Sequence, residues 1–410
     1  MASEFYIIIF LAFIPITLGV LGKALRMSFS VLQPLGLTVI ALEAGALVYL
    51  GFEVAPSLIH LTAVMLLAGF CALLGQRDFK FSTNTFTSIM IGLGLSLGVL
   101  LSQAPINRLF LGGFLGYAAI FLLGSSRPTL LMKLALVHLA IASISSFTSV
   151  FMGNPFSIFS GYLLAVTLLP LVPFHQPFLA IVGNSPGTLS GFWVVVIFSL
   201  GLSELHGLQT TMHPGLFFVF QWLALGSALY ASIKCLGQNQ IRPLIAYATV
   251  ALSALLWGLT DVFLNFSPWA IPFGTTVALV MSGLLVGFSF VQHRFGWHFL
   301  GTFPGLWSPM PRFGTFLVLL ITLAMLLPVF PTFSGLTTMP TFTQQDTSLF
   351  PVLVIFFTVW LAGSWYFSNL LHQTAFGKPR PDILYTDLYP AEMVTLALLI
   401  VGACLSGLTY

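Results

Sequence analysis

Few side chains in this sequence can hold a proton or a charge in an apolar setting, and those few define the chemistry open to it. Glu43 stands inside the apolar stretch VIALEAGALVY. A carboxyl group there is costly unless it serves an ion path or meets a hydrogen-bonding neighbour. Both readings stand: an ion path through Glu43, or a protonated or hydrogen-bonded acid against a helix that the small Ala44, Gly45 and Ala46 allow to approach. His138 lies in another apolar run, five residues after Lys133 and off its face, so the lysine snorkels to an interface while the imidazole stays open as a relay group or a core side chain. The segment LLPLVPFHQPF sets His175 among Pro170, Pro173 and Pro177. Each proline removes a backbone donor and clashes with the preceding turn, so the helix breaks there. Broken spans persist in lipid where protein or a water-filled cavity satisfies the freed groups, which makes them favoured for ion paths; a plain kink is the other reading. His175 itself either exchanges protons or makes a structural hydrogen bond. Arg242 keeps its charge, so it can set a field but not pass a proton.

The other ionisable groups carry less. Glu204, His206, Lys234 and Asp261 stand at the ends of apolar runs, where solvated charge is ordinary. His293, Arg294 and His298 lack the spacing of a helical metal pair. Cys71, Cys235 and Cys404 are far apart and give neither a disulfide framework nor a metal motif. With no nucleophile-base set, phosphate-cradling loop or haem-ligand pair, we expect no catalytic site, metal or cofactor in this chain.

The elements that hold these residues follow from composition. Of 410 residues, 58% are hydrophobic and 6% charged, against about 25% charged in a soluble domain, so lipid must solvate most of the surface. The net charge of +3 is scattered and offers no basic face for nucleic acid. Runs of about 20 apolar residues, the length of a membrane crossing, can be drawn fourteen times. They cover Phe5 to Gly22, Val31 to Phe52, Ser57 to Gly75, Thr83 to Gln103, Arg108 to Gly124, Thr129 to Met152 and Phe156 to Val182. Seven more cover Thr188 to Leu205, Gly215 to Leu236, Ile241 to Leu259, Trp269 to Val291, Phe313 to Phe330, Phe350 to Leu371 and Ala391 to Leu408. The first follows Glu4 without a basic stretch or cleavage site and reads as a retained helix. Pro331 to Thr347 reads as a polar loop on the outside. Twelve of the 13 Lys and Arg fall on alternate connections, with Arg108 the exception, which predicts both termini on the non-cytoplasmic side. The reading is an all-α, polytopic membrane protein with about fourteen transmembrane helices in a single transmembrane domain, residues 1–410.

Three stretches in this order resemble the antiporter-like membrane subunits of respiratory complex I, membrane hydrogenases and cation antiporters. LVPFHQPFLAIVGNSPGTLSGFWVVVIFSLG (Leu171 to Gly201) is similar to the family's broken helix, Pro-x-His turn and following helix. QNQIRPLIAYATVALSALLWGL (Gln238 to Leu259) is similar to its polar turn leading into an Ala-Tyr-Ser-Ser-type helix. MPRFGTFLVLLITLAMLLPVFPTFSG (Met310 to Gly335) with LLHQTAFGKPRPD (Leu370 to Asp382) resembles a later helix, its Leu-Pro turn and its exit. These stretches cover most of the second half, whereas the first third matches in helix count alone. The resemblance implies two inverted five-helix repeats, each with a broken helix, and a midplane chain of Lys, Glu and His that passes protons.

The sequence departs from that chain. Leu168 and Ser199 occupy the positions where the resemblance implies lysines, and Leu252 and Val277 those of the histidines. The run from Arg108 to Gly124 lacks the family's glutamate, and Phe350 to Leu371 has no Asp, Glu or Lys. Leucine cannot exchange a proton, and a serine hydroxyl can only order water. The resemblance therefore implies a membrane subunit of a multi-subunit proton-translocating assembly of dehydrogenase, hydrogenase or inorganic-carbon uptake type, in an energy-transducing cell or inner membrane. Its partners would be other integral membrane subunits and lipid, and its role structural or coupling. Small residues such as Gly112, Gly113 and Gly116 would pack its exposed helix faces onto those partners. The alternative is an independent carrier or channel using Glu43 and the broken helix.

Overall fold

A computed structural model describes residues 2–50, 55–77, 82–124, 129–152, 154–209, 214–260, 266–296, 298–327 and 349–406. Among these, regular structure is helical apart from one isolated antiparallel bridge between Gln240 and Phe299. The loop expected over Pro331 to Thr347 lies outside the described residues, as do Lys80, Arg127 and Asp261. Ten of the helices are long and apolar enough to cross a membrane, and four shorter ones are apolar as well. The chain divides into two compact units, Met1–Thr211 and Met212–Tyr410.

The first unit contains α1 (Ala2–Ala24), α2 (Phe29–Leu50), α3 (Pro56–Leu74), α4 (Ser82–Leu101), α5 (Ile106–Leu123), α6 (Leu130–Thr148), α7 (Asn154–Leu168), α8 (Gln176–Asn184) and α9 (Leu189–Gln209). Helix α3 opens on Pro56, whose missing N–H costs nothing at a first turn, and stops at Gly75. Helices α4 and α9 are apolar on every side and are buried on every side, as such helices must be. Trp193 of α9 packs 5.5 Å from Phe114 and 5.8 Å from Phe121 of α5, measured between ring centroids. Helix α1 comes so close to α4 that a Cβ on Gly94 would strike the Ala12 carbonyl, and only glycine permits that approach. The glycines of α5 turn inward rather than to a partner. A Cβ at Gly112 would sit 2.8 Å from Phe147, one at Gly116 would sit 3.4 Å from the Ser143 hydroxyl, and one at Gly113 would meet Leu95 at 3.5 Å. Ser143 donates to the Gly112 carbonyl at 2.8 Å, which fastens α6 to α5. The expected outward packing role of these glycines is therefore corrected: their small size is used within the chain.

The second unit contains α10 (Pro214–Leu236), α11 (Ile241–Leu259), α12 (Phe266–Phe295), α13 (Pro311–Leu326), α14 (Leu349–Thr374) and α15 (Pro390–Ser406). Helices α11 and α12 form its interior. Hydroxyls there are satisfied within the helices: Thr249 donates to Ile245 at 2.7 Å and Thr276 to Pro272 at 2.7 Å, so both sit in the core with their donors met. Helix α13 starts on Pro311, and the Asp387 carboxylate accepts the backbone N–H groups of Arg312 at 3.0 Å and Phe313 at 3.1 Å. Those donors have no partner inside the helix, and a negative charge suits its N-terminus. Buried Arg294 at the end of α12 forms an ion pair with Glu392 in the first turn of α15 and stacks 5.0 Å from the Tyr389 ring.

The fourteen runs correspond to these fifteen helices of the described residues, because the seventh run is two pieces, α7 and α8. Pro170 and Pro173 lie in the turn between them and Pro177 at the second position of α8, so the break falls where the prolines place it.

Candidate functional site

The break is the place where sequence chemistry and geometry meet. Helix α7 stops at Leu168, the chain turns through residues 169–175, and His175 caps α8. His175 is buried, with its Nε2 3.2 Å from the Gln176 side-chain amide. His138 on α6 comes to the same place, its ring centroid 5.6 Å from that of Phe174. Among the described residues its buried Nδ1 has no hydrogen-bond partner. Helix α9 passes closely behind: a Cβ at Gly201 would lie 2.9 Å from the Leu169 nitrogen, so glycine alone lets it press on the end of α7. Ser199, two residues earlier, is fully buried, and its hydroxyl has no partner among the described residues. His138, His175 and the three prolines are thus brought to one region of the first unit, whereas Ser199, two positions from Gly201, lies on the other side of α9.

The space there is small and apolar. Between α5, α6, α7, α8 and α9 lies a cavity of about 10 Å³, bounded by Phe114, Leu139, Thr167, Leu168, Phe178 and Ile197 among others. That is at the lower limit for one water molecule, which also needs two to four polar partners. Thr167 spends its hydroxyl on the Leu163 carbonyl at 2.7 Å. Leu168, where the resemblance implies a lysine, is fully packed at this point, and Leu252 and Val277 are equally buried in α11 and α12 of the second unit.

Two of the expected site residues lie elsewhere. Arg242 occupies the first turn of α11 in the second unit, half-buried, and is described there by itself. Glu43 belongs to the first unit but stands away from the break, on α2 facing α1. Its side chain is 3% exposed, and neither carboxyl oxygen has a hydrogen-bond partner among the described residues. It borders a cavity of about 510 Å³ whose other walls are Phe10, Leu11 and Ile14 of α1 and Val39, Leu42 and Ala46 of α2. The hydrogen-bonded form of the structural reading of Glu43 thus finds no partner among the described residues, while the protonated acid and the ion path remain expectations. Gly45 has open space where a Cβ would stand, so no backbone approaches at that position.

One functional pairing escaped sequence reasoning. Arg108, at the start of α5, donates to the Glu204 carboxylate near the end of α9 at 2.6 Å, with Glu204 almost wholly enclosed. Glu204 reads from the sequence as an ordinary solvated end, and Arg108 only as the exception to the one-sided Lys and Arg. Their separation by 96 residues leaves no local signal.

No protein-family model and no curated protein matches the sequence. Solved structures do. A chain of respiratory complex I from Thermus thermophilus, solved with bound NADH, superposes with a TM-score of 0.78 at 16% identity over 98% of this chain and 95% of that one. A chain of the membrane-bound sulfane sulfur reductase, an archaeal respiratory membrane complex, gives 0.72 at 14% identity over 98% and 76%. A chain of the Mrp complex from Dietzia sp. DQ12-45-1b gives 0.70 at 13% identity over 94% and 83%. The chain therefore has the fold of the antiporter-like membrane subunits, and it is an integral membrane protein. The likeness runs the whole length of the chain, including the first third, where the sequence offered helix count alone.

Proposed function

We propose that this chain is a divergent antiporter-like subunit of a multi-subunit ion-translocating membrane assembly, one that holds or couples its neighbours instead of pumping through its own interior. The observation that carries this reading is the break: a leucine fills the place of the implied lysine, and the space around it is too small and too apolar for a chain of water. Proton passage needs side chains that bind and release a proton near neutral pH, and a desolvated lysine does so because burial favours its neutral form. Leu168, Ser199, Leu252 and Val277 cannot take that part.

Solved chains of this fold belong to respiratory complex I, an archaeal respiratory membrane complex and the Mrp complex, which supports a multi-subunit membrane assembly as the setting; the resemblance adds the dehydrogenase, hydrogenase or inorganic-carbon uptake type. The even number of apolar runs, together with the one-sided distribution of Lys and Arg, supports both termini on the non-cytoplasmic side of an energy-transducing membrane. The test is purification in mild detergent from its own membrane. Stoichiometric recovery of other integral membrane subunits supports the reading, whereas recovery of a stable lone chain that transports an ion in vesicles contradicts it. The carrier reading draws on Glu43 and would require Glu43→Gln to abolish that transport.

A further inference from the structure

Beside Glu43 the structure holds a site that the scaffold role does not use. The cavity between α1 and α2 measures about 510 Å³, within the range of about 300–1,000 Å³ typical of small-molecule pockets. Among the described residues its walls are aliphatic and aromatic side chains, with a single polar group, the Glu43 carboxyl. Such pockets bind an apolar body and orient it by a few placed polar groups. Both Glu43 oxygens are enclosed and have no partner among the described residues, and an enclosed polar group left unmet costs about 1–3 kcal/mol. A ligand that hydrogen-bonds to it recovers that cost. Pro15 adds a second acceptor nearby, since a proline inside α1 withholds the amide that would reach the carbonyl of Leu11, a wall residue.

The dimensions choose the occupant. The α2 wall runs from Val39 to Ala46, about 10 Å along the helix axis. That is a third of a bilayer core and too short to seat a crossing helix from another subunit. With no cation among the described wall residues, an anionic head would give up its hydration without compensation, and a cationic head would need Glu43 ionised in an apolar setting, whereas a neutral oxygen needs neither.

We propose that the α1–α2 cavity binds a neutral lipid-soluble molecule with one hydrogen-bonding oxygen, a quinone carbonyl or an alcohol hydroxyl, which Glu43 anchors. The inference is independent of whether the chain conducts protons. It is tested on the full chain in its co-purified assembly, in lipid nanodiscs, with two photoreactive probes: a benzoquinone bearing a ten-carbon diazirine tail and a ten-carbon alcohol bearing the same tail. The expected result is saturable labelling of α1 and α2 around Ile14 and Leu42 by at least one probe, displaced by the untagged molecule. The probe that saturates identifies the head group. Glu43→Leu should lower that labelling at least tenfold, and Glu43→Gln should retain most of it, because an amide still donates and accepts. Ala46→Phe, which fills the space and leaves the carboxyl in place, should abolish it, so the site stays testable if Glu43→Leu assembles poorly. Labelling by both probes that rises linearly with concentration, or that is unchanged in Ala46→Phe, reflects surrounding lipid and overturns the proposal.

Discussion

At the scale of single residues, the enclosed charges divide into those that are met and those that are not. Arg108 and Glu204 meet at 2.6 Å. Removing one partner strands the other, so Arg108→Leu should destabilise the chain by about 2 kcal/mol, the worth of a charged hydrogen bond. The double replacement Arg108→Leu, Glu204→Leu should cost less than the single, because it leaves no unpaired carboxylate. Thermal unfolding in detergent reads both. Glu43 is the reverse case. Nothing in the described residues holds its carboxyl, so Glu43→Gln should leave assembly and unfolding temperature unchanged, as judged by co-purification and a melting curve. Leu168→Lys should lower folded yield and restore no conduction, because a cation placed at a closed, apolar break finds neither partner nor water; size-exclusion recovery and vesicle flux check the two halves of that statement.

At the scale of elements, the proline break and the close pass of α9 act together. Replacing Pro170 and Pro173 together by alanine lets α7 extend past Leu168 and removes the turn that aims α8, so this change should lower the unfolding temperature more than any single charge substitution. Gly201→Val puts a side chain against the Leu169 backbone, an overpacking that should cost about 1–3 kcal/mol. The break was legible in the sequence because three prolines in an apolar run have one physical outcome. The fourteen runs were legible because lipid demands their length. What α5 does with its glycines was not: sequence shows that Gly112 and Gly116 are small, but whether they admit Phe147 and Ser143 or a partner depends on the rotation of the helix, which depends on every neighbour at once. The Glu43 cavity was hidden for the same reason. The residue was singled out, yet the gap opposite it depends on how α1 is set between α4, which it meets at Gly94, and α2, which it meets at Gly22 and Leu32, well away from Glu43.

At the scale of the whole molecule, the fold shared with chains of respiratory complex I, the sulfane sulfur reductase and the Mrp complex persists at 13–16% identity, while Leu168, Ser199, Leu252 and Val277 stand where the family resemblance implies relay side chains. Packing constraints, such as the proline break and the buried α4, α9, α11 and α12, act along the whole chain, whereas a relay rests on a handful of side chains. On the proposed function, the scaffold has outlasted its relay. The measurement that tests this most directly is proton flux, under an imposed membrane potential, through vesicles that contain the purified chain and a pH-sensitive dye. The account predicts flux equal to that of protein-free vesicles, with no change in the His175→Ala or Glu43→Gln variants. Flux above that background, lost in either variant, would contradict it.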